Sequence, residues 1–418
     1  MISSAKTLWN RNFSLLIIGQ LISIFGNQVL TFALPLYVLQ THESPALFGT
    51  ILGVSFLSFL VTSPLGGILA DRVKKQRIMF WLDVSATIII VLYMILSGLF
   101  PTALVLLVVI KLLALNTIQG FYLPVIEASV PFLAPPDQLT RANSATVAVN
   151  TISNMAAPAI AGVLLGLFGL FPILVVSAVC FAATAVIDLL LRIPHTKQEV
   201  QGGVLQIVKS DLSEAFRFVG ERSILIKIAI LTMVVVAVTN GVLMTGIPVF
   251  ILQHFDMGME YLGFGRSFSW AGALVGTAIV GWLGERLTIR HVPATVILLA
   301  LAIVPIGLVL LFDVPVFAAF VVLIVSDFIF TAVIVPYMLA MLTYAQKITP
   351  EALVGKVLSL FVALPFFAGG IGYLSFGVLF ERFYALSWLI VLISAVLMGL
   401  TAIVLRRYFI KAPETSSL

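Results

Sequence analysis

Four ionisable residues stand inside or at the edge of apolar runs long enough to cross a membrane: Lys111, Glu127, Arg266 and Asp327. A charge in hydrocarbon is costly unless it is paired or wet, so each is a functional candidate by default. Lys111 and Asp327 carry opposite charges, each in the outer half of its run, and are expected to pair or share water. A proton arriving at Asp327 would break such a pair, which makes Asp327 the first candidate for proton exchange and Glu127 the second. Asp83, Glu127 and Asp188 lie nearer the cytoplasmic ends of their runs, where networks with bases such as Arg141 and Arg192 are expected. Bond-making chemistry finds no comparable support. The sequence holds no Ser/His pairing, no clustered histidine or carboxylate ligands and no His-Glu-x-x-His. His42, His195, His254 and His291 lack metal-ligand spacing, and Gly355-Lys356 lacks the upstream glycine of a phosphate-binding loop. The chain is expected not to be an enzyme and to need neither cofactor nor metal.

The elements that hold these charges follow from composition. Of 418 residues 61% are hydrophobic and only 10% charged, against roughly a quarter charged in a soluble domain, so lipid is the main solvent. A spanning helix needs about 20 mostly apolar residues. Twelve runs of that kind follow one another, the first at 12–40 and the last at 384–405. With twelve spans both ends of the chain share a side. Every lysine and arginine then falls on that side except Arg382 opposite and Lys111 and Arg266 within spans. The positive-inside rule places that side, and both termini, in the cytoplasm of a cell whose inner membrane holds the chain. The expected fold class is an all-α polytopic membrane protein of twelve transmembrane helices in two pseudo-symmetric six-helix bundles. An N-terminal bundle at 1–193 and a C-terminal bundle at 224–418 flank a linker at 194–223. Leu205, Val208, Leu212, Ala215, Phe216 and Val219 recur there at helical spacing, the pattern of an amphipathic helix on the membrane surface.

An internal repeat supports the two-bundle division. At an offset of about 213 residues LPLYVLQ at 34–40 matches IPVFILQ at 247–253, and Asn27 matches Asn240. Pro124 pairs with Pro336, and PDQL at 136–139 with PEAL at 350–353. Duplicated bundles about a central axis are a transporter architecture, with substrate held near the midplane.

GILADRVKKQR at 67–77 resembles the loop signature of the major facilitator superfamily, and GWLGERLTIRH at 281–291 is its degenerate copy. The resemblance implies the major facilitator fold and a cytoplasmic gate built from Gly67, Asp71, Arg72, Arg77, Gly281, Glu285 and Arg286, with Asp71 as an anion at a helix end. SNMAAPAIAG at 153–162 is similar to the antiporter motif of the superfamily's drug exporters. Pro158 and Gly162 match it, while Ala157 and Ala161 replace glycines. Those exporters carry Arg-x-x-Gln-Gly in the fourth span, where this chain has Asn116 for the arginine and keeps Gln119 and Gly120. The texture around Pro124, Ala128 and Pro131 is closest to the macrolide- and siderophore-exporter branch.

By the same resemblance the first, fourth, seventh and tenth spans line a substrate cavity. Asn27, Gln28, Asn116, Gln119 and Asn240 put neutral amides among Phe, Leu and Met there, which suits a bulky amphipathic ligand better than a sugar. Glycine pairs in the second, fifth and eighth spans (Gly49–Gly53, Gly162–Gly166, Gly272–Gly276), with Gly369, Gly370 and Gly372 in the eleventh, are expected to let those spans touch across the halves. The implied function is proton-coupled efflux of an amphipathic molecule by alternating access. Its partners are that substrate, protons and the bilayer; no nucleic acid is implied, and a monomer is expected. A siderophore or lipid-like metabolite is the alternative cargo. A membrane-embedded enzyme or a sensor would need a catalytic constellation or a signalling domain, and neither is present in the sequence.

Overall fold

A computed structural model describes residues 7–194, 213–214, 216–286, 288–350 and 353–409. Those residues hold no strand, and the twelve expected spans are all helices. They are α1 (Arg11–His42), α2 (Pro45–Arg72), α3 (Lys75–Leu99), α4 (Leu104–Glu127), α5 (Leu139–Phe168) and α6 (Leu170–Leu190), then α7, which begins as Ser223–Thr239 and runs on to His254. After it come α8 (Met259–Leu283), α9 (Val292–Leu311), α10 (Val316–Ile348), α11 (Val354–Arg382) and α12 (Ser387–Phe409). Eleven segments among the described residues are long and apolar enough to cross a membrane. The helix outside that set is α8, whose glycines, serines and Arg266 dilute its apolar content.

Lipid offers a backbone amide no partner, so the helix is the only open-ended element that spans it. Polar side chains obey the same rule by bonding back to their own helix, as Thr62 does to Ser58 O at 2.8 Å and Ser394 to Ile390 O at 2.7 Å. The outward faces are apolar. Trp81, Ile88, Leu92, Ile95 and Leu99 are exposed along one stripe of α3, the reverse of a helix that faces water. Gly169 ends α5 and Gly284 follows α8, both at positive φ (73° and 50°), a conformation a Cβ would resist.

Two compact units emerge. The first contains residues 1–41, 54–204 and 258–267; the second contains 42–53, 205–257 and 268–418. The opening turns of α2 thus belong with α11, and those of α8 with α5. In the first unit Phe13, Leu16, Met79, Tyr122 and Val125 form a buried core beside α5 and the Leu191 turn. In the second, α9 lies against α12, where Gly307 admits the Leu392 side chain and Trp388 carbonyl. Of the expected linker helix, Leu205, Val208, Leu212 and Ala215 lie outside the described residues. At its end Glu214 pairs with Lys356 of α11 at 2.6 Å.

Candidate transport and coupling sites

The glycine pairs divide into two kinds. Gly49 and Gly53 of α2 bring that helix onto the Tyr373 and Gly370 carbonyls of α11. Gly162 of α5 meets the Met259 carbonyl and the Gly263 Cα of α8. Gly272 and Gly276, expected on the same seam, instead press against the Phe328 and Ala332 carbonyls of α10, and Gly372 against Ala237 of α7. Small-xxx-small spacing permits close approach but does not say to which neighbour. On α8 the seam glycine is Gly263.

Pro158 acts at the same seam. A proline inside a helix removes one amide and bends the turn around it. The next amide, Ala159 N–H, donates to Ser267 Oγ of α8 at 3.1 Å, so the antiporter-like segment of α5 is tied to α8 by a hydrogen bond as well as by backbone contact. At the start of α2, Ser44 caps the helix by accepting the Leu47 amide at 3.1 Å. Glu381, at the end of α11, accepts the Ser44 hydroxyl and the Ala46 amide, the latter at 3.0 Å. No local pattern signals this clasp, because its partners are more than three hundred residues apart.

The five expected cavity amides are all half-buried. Gln28 donates to Asn154 Oδ1 of α5 at 2.6 Å, which adds Asn154 to the set; it lay inside the quoted SNMAAPAIAG segment. Asn116 and Asn240 turn their amide nitrogens back on the Leu112 and Val236 carbonyls of their own helices. Asn240 also opens a π-helical stretch, Asn240–Gly246, and a second follows at Phe250–His254. π-turns inside α-helices concentrate at functional positions.

The intramembrane charges have partners other than those expected. The Lys111 ammonium, 2% exposed, sits over the Tyr93 ring at 4.2 Å, where the π face takes the place of a counter-ion. Asp327, also 2% exposed, accepts a hydrogen bond from Ser269 Oγ. Arg266 is half-buried, and Glu127 is exposed as the last residue of α4. Asp83 and Asp188 depart furthest from expectation. Arg141 and Arg192 are exposed, and the two aspartates turn to each other instead, side chain to side chain, with Ser23 Oγ donating to Asp83 at 3.2 Å. Of the gate residues, Gly67 lies in the last turns of α2, and the side chains of Asp71, Arg72 and Glu285 lie outside what is described. Arg77, Gly281 and Arg286 are exposed. Among the described residues no three His, Cys, Asp or Glu side chains converge on a metal-sized site.

Twelve helices with lipid-facing apolar stripes, glycine seams at helix crossings and buried charges define a polytopic membrane transporter. The sequence matches the Major Facilitator Superfamily over residues 16–373, and the chain belongs to that family. Macrolide efflux protein A of Streptococcus pyogenes is 26% identical over 199 residues, 46% of this chain and 47% of that protein. Its namesake in Enterococcus faecalis is 28% identical over 154 residues, 35% and 46% of the two chains. The chain thus spans about half the length of these curated relatives. The uncharacterised MFS-type transporter YfiS of Bacillus subtilis is 26% identical over 295 residues, 69% of this chain and 68% of its own. Among solved structures, a bacterial homologue of the human lysosomal transporter Spinster superposes with a TM-score of 0.74 at 14% identity, covering 98% of this chain and 100% of that one. The nucleoside transporter NupG superposes at 0.71 with 16% identity, covering 97% and 100%. At these identities the likeness is one of fold.

Proposed function

We propose that this transporter exports amphipathic small molecules of the macrolide type, driven by the proton gradient, by exposing one substrate site to each membrane face in turn. The observation that carries the reading is the set of half-buried neutral amides, Asn27, Gln28, Asn116, Gln119 and Asn240, on helices otherwise rich in Phe, Leu and Met. A mostly apolar surface with a few hydrogen-bonding groups suits a bulky amphipathic ligand. The names of the relatives in Streptococcus and Enterococcus point the same way. Asp327 is the carboxylate proposed to exchange a proton during transport, with both termini cytoplasmic and the Asp71 loop latching the cytoplasmic side. The halves 1–193 and 224–418 are the proposed moving bodies.

The test uses everted membrane vesicles that carry the protein and a labelled macrolide. An imposed gradient, acid inside, should drive uptake, and a protonophore should abolish it. Asp327→Asn should lose the gradient-driven component while the protein still reaches the membrane. Uptake indifferent to the gradient, or no macrolide movement at all, overturns the reading.

A further inference from the structure

Asp83 of α3 and Asp188 of α6 are each 0% exposed and meet side chain to side chain inside the first unit. Asp83 lies about two turns into α3 and Asp188 near the end of α6, the two helices being packed against each other. Helix α1 closes the site from a third side. Its Gly19 and Gly26 let it lie directly on Thr184 and Cys180 of α6, which brings Ser23 between them onto Asp83.

The pair is short of hydrogen-bond donors. Asp83 Oδ1 receives the Ser23 hydroxyl, but Asp83 Oδ2 and both Asp188 carboxyl oxygens are buried with no hydrogen-bond partner among the described residues. No lysine, arginine or histidine forms an ion pair with either carboxylate among those residues. The Tyr122 hydroxyl of α4 is buried, lacks a hydrogen-bond partner and faces both carboxyls and Ser23. Gln20 of α1, one turn before Ser23, is 1% exposed, and its Oε1 is likewise unpartnered. The remaining ionisable groups of the packed helices stand elsewhere. Arg11 and His42 mark the ends of α1 and Glu127 the exposed end of α4, while Lys111 lies over Tyr93. On α3, Arg77 is exposed and Lys75 lies over the Phe132 ring. While the pair is buried without a cation in a low-dielectric interior, double ionisation is strongly disfavoured, and one shared proton both relieves the repulsion and supplies the missing donor until water reaches the site.

We propose that Asp83 and Asp188 form a proton-binding site in which the two carboxyl groups hold a single proton between them, taken up and released during the transport cycle. Ser23 and Tyr122 are positioning residues that orient the pair. The proton travels as such: no bond other than O–H forms or breaks, and the pair passes between one net negative charge and two. That the release is tied to transport rests on the export reading above; that a proton is held does not.

The purified transporter in lipid nanodiscs gives the direct test. Infrared difference spectra of wild type between about pH 6 and pH 9 should contain a protonated-carboxyl stretch that is missing from Asp83→Asn/Asp188→Asn. Replacing sodium by potassium should leave it unchanged. In vesicles the single variants Asp83→Asn and Asp188→Asn should lose acceleration of substrate transport by a pH gradient about tenfold or more while still reaching the membrane. Tyr122→Phe should shift the pH midpoint of the band. A wild-type spectrum without the band, or a band that responds to sodium instead of pH, overturns the proposal, and neither result depends on a variant folding. Single variants still fully driven by the gradient overturn the role in the cycle. If the band is present but wild type couples no proton to substrate, the acid pair stands and the export reading falls.

Discussion

A methyl group added at Gly162 tests whether the α5–α8 seam is held by backbone contact. A Cβ there would stand 2.6 Å from the Met259 carbonyl oxygen, 2.9 Å from Gly263 Cα and 3.1 Å from Gly263 N. All three are backbone atoms that no rotamer change can move. Relief of all three to an ordinary contact of about 3.5 Å requires the helices to part by up to about 0.9 Å, and a gap of that size forfeits about a quarter to a half of each dispersion contact. Overpacking of this kind costs about 1–3 kcal/mol, offset by up to about 1 kcal/mol from alanine's better helix propensity. Gly162→Ala should therefore lose about 1–2 kcal/mol. Two controls share the chemistry without the obstacle. At Gly166 the added Cβ meets Glu260 Oε2 at 3.0 Å, the far end of a side chain that can swing away; at Gly98 nothing lies within 4 Å. Thermal unfolding of the detergent-purified proteins, followed by tryptophan fluorescence, should rank Gly98→Ala at or above wild type, Gly166→Ala close to it and Gly162→Ala clearly below. Equal melting of Gly162→Ala and Gly98→Ala would refute the seam.

Glu381→Gln removes the charge from the α2 clasp while keeping one acceptor, and Ser44→Ala removes the cap. Each should cost about 0.5–2 kcal/mol, with the Glu381 effect fading at high salt because the group is exposed, as a melting series across ionic strength would show. Lys111→Met replaces a buried ammonium by an apolar side chain of similar length and should be neutral or stabilising. Tyr93→Leu strips the ammonium of its ring and should cost about 0.5–2 kcal/mol; the same sign for both changes in a melting assay would argue against the pairing. Gln28→Leu leaves Asn154 Oδ1 without its donor, so it should destabilise by about 1–3 kcal/mol, and adding Asn154→Leu should recover part of that loss in a double-mutant cycle.

The span pattern was legible because lipid imposes a length and a composition that no tertiary context overrides: the charge-poor runs became α1 to α12. Which helix each glycine touches was not, since spacing fixes a face and leaves the neighbour open. Gly162 found α8, as the resemblance implied, while Gly272 and Gly276 found α10. The aspartate pair was misread for a local reason. Arg192 is only four residues beyond Asp188, one helical turn, and would have stood above it had α6 continued. The helix stops at Leu190 and Leu191 is extended, so Arg192 turns outward and Asp188 is left to Asp83, which is more than one hundred residues earlier. Charge complementarity misled in a similar way at Lys111, because an aromatic ring on the adjacent α3 serves as the partner and leaves no signature in a count of charges.

The repeat carries this contrast into the backbone. Pro35 and Pro248 occupy matching places in LPLYVLQ and IPVFILQ, yet α1 remains α-helical through Pro35 while α7 is π-helical on both sides of Pro248. A π-turn moves the accepting carbonyl one residue back; in the same stretch the Thr245 hydroxyl donates to the carbonyl of Asn240, five residues earlier, at 3.2 Å. Gly241 and Gly246 complete the reason. In α7 they admit the Phe376 ring and the Phe250–Phe380 stack, large groups that would collide with a Cβ, whereas the matching places in α1 are held by Gln28, half-buried, and Ala33, buried, both in an ordinary helix. Identical prolines thus meet different surroundings, and the wider π-turn falls beside Asn240, the amide proposed to face substrate in the second half.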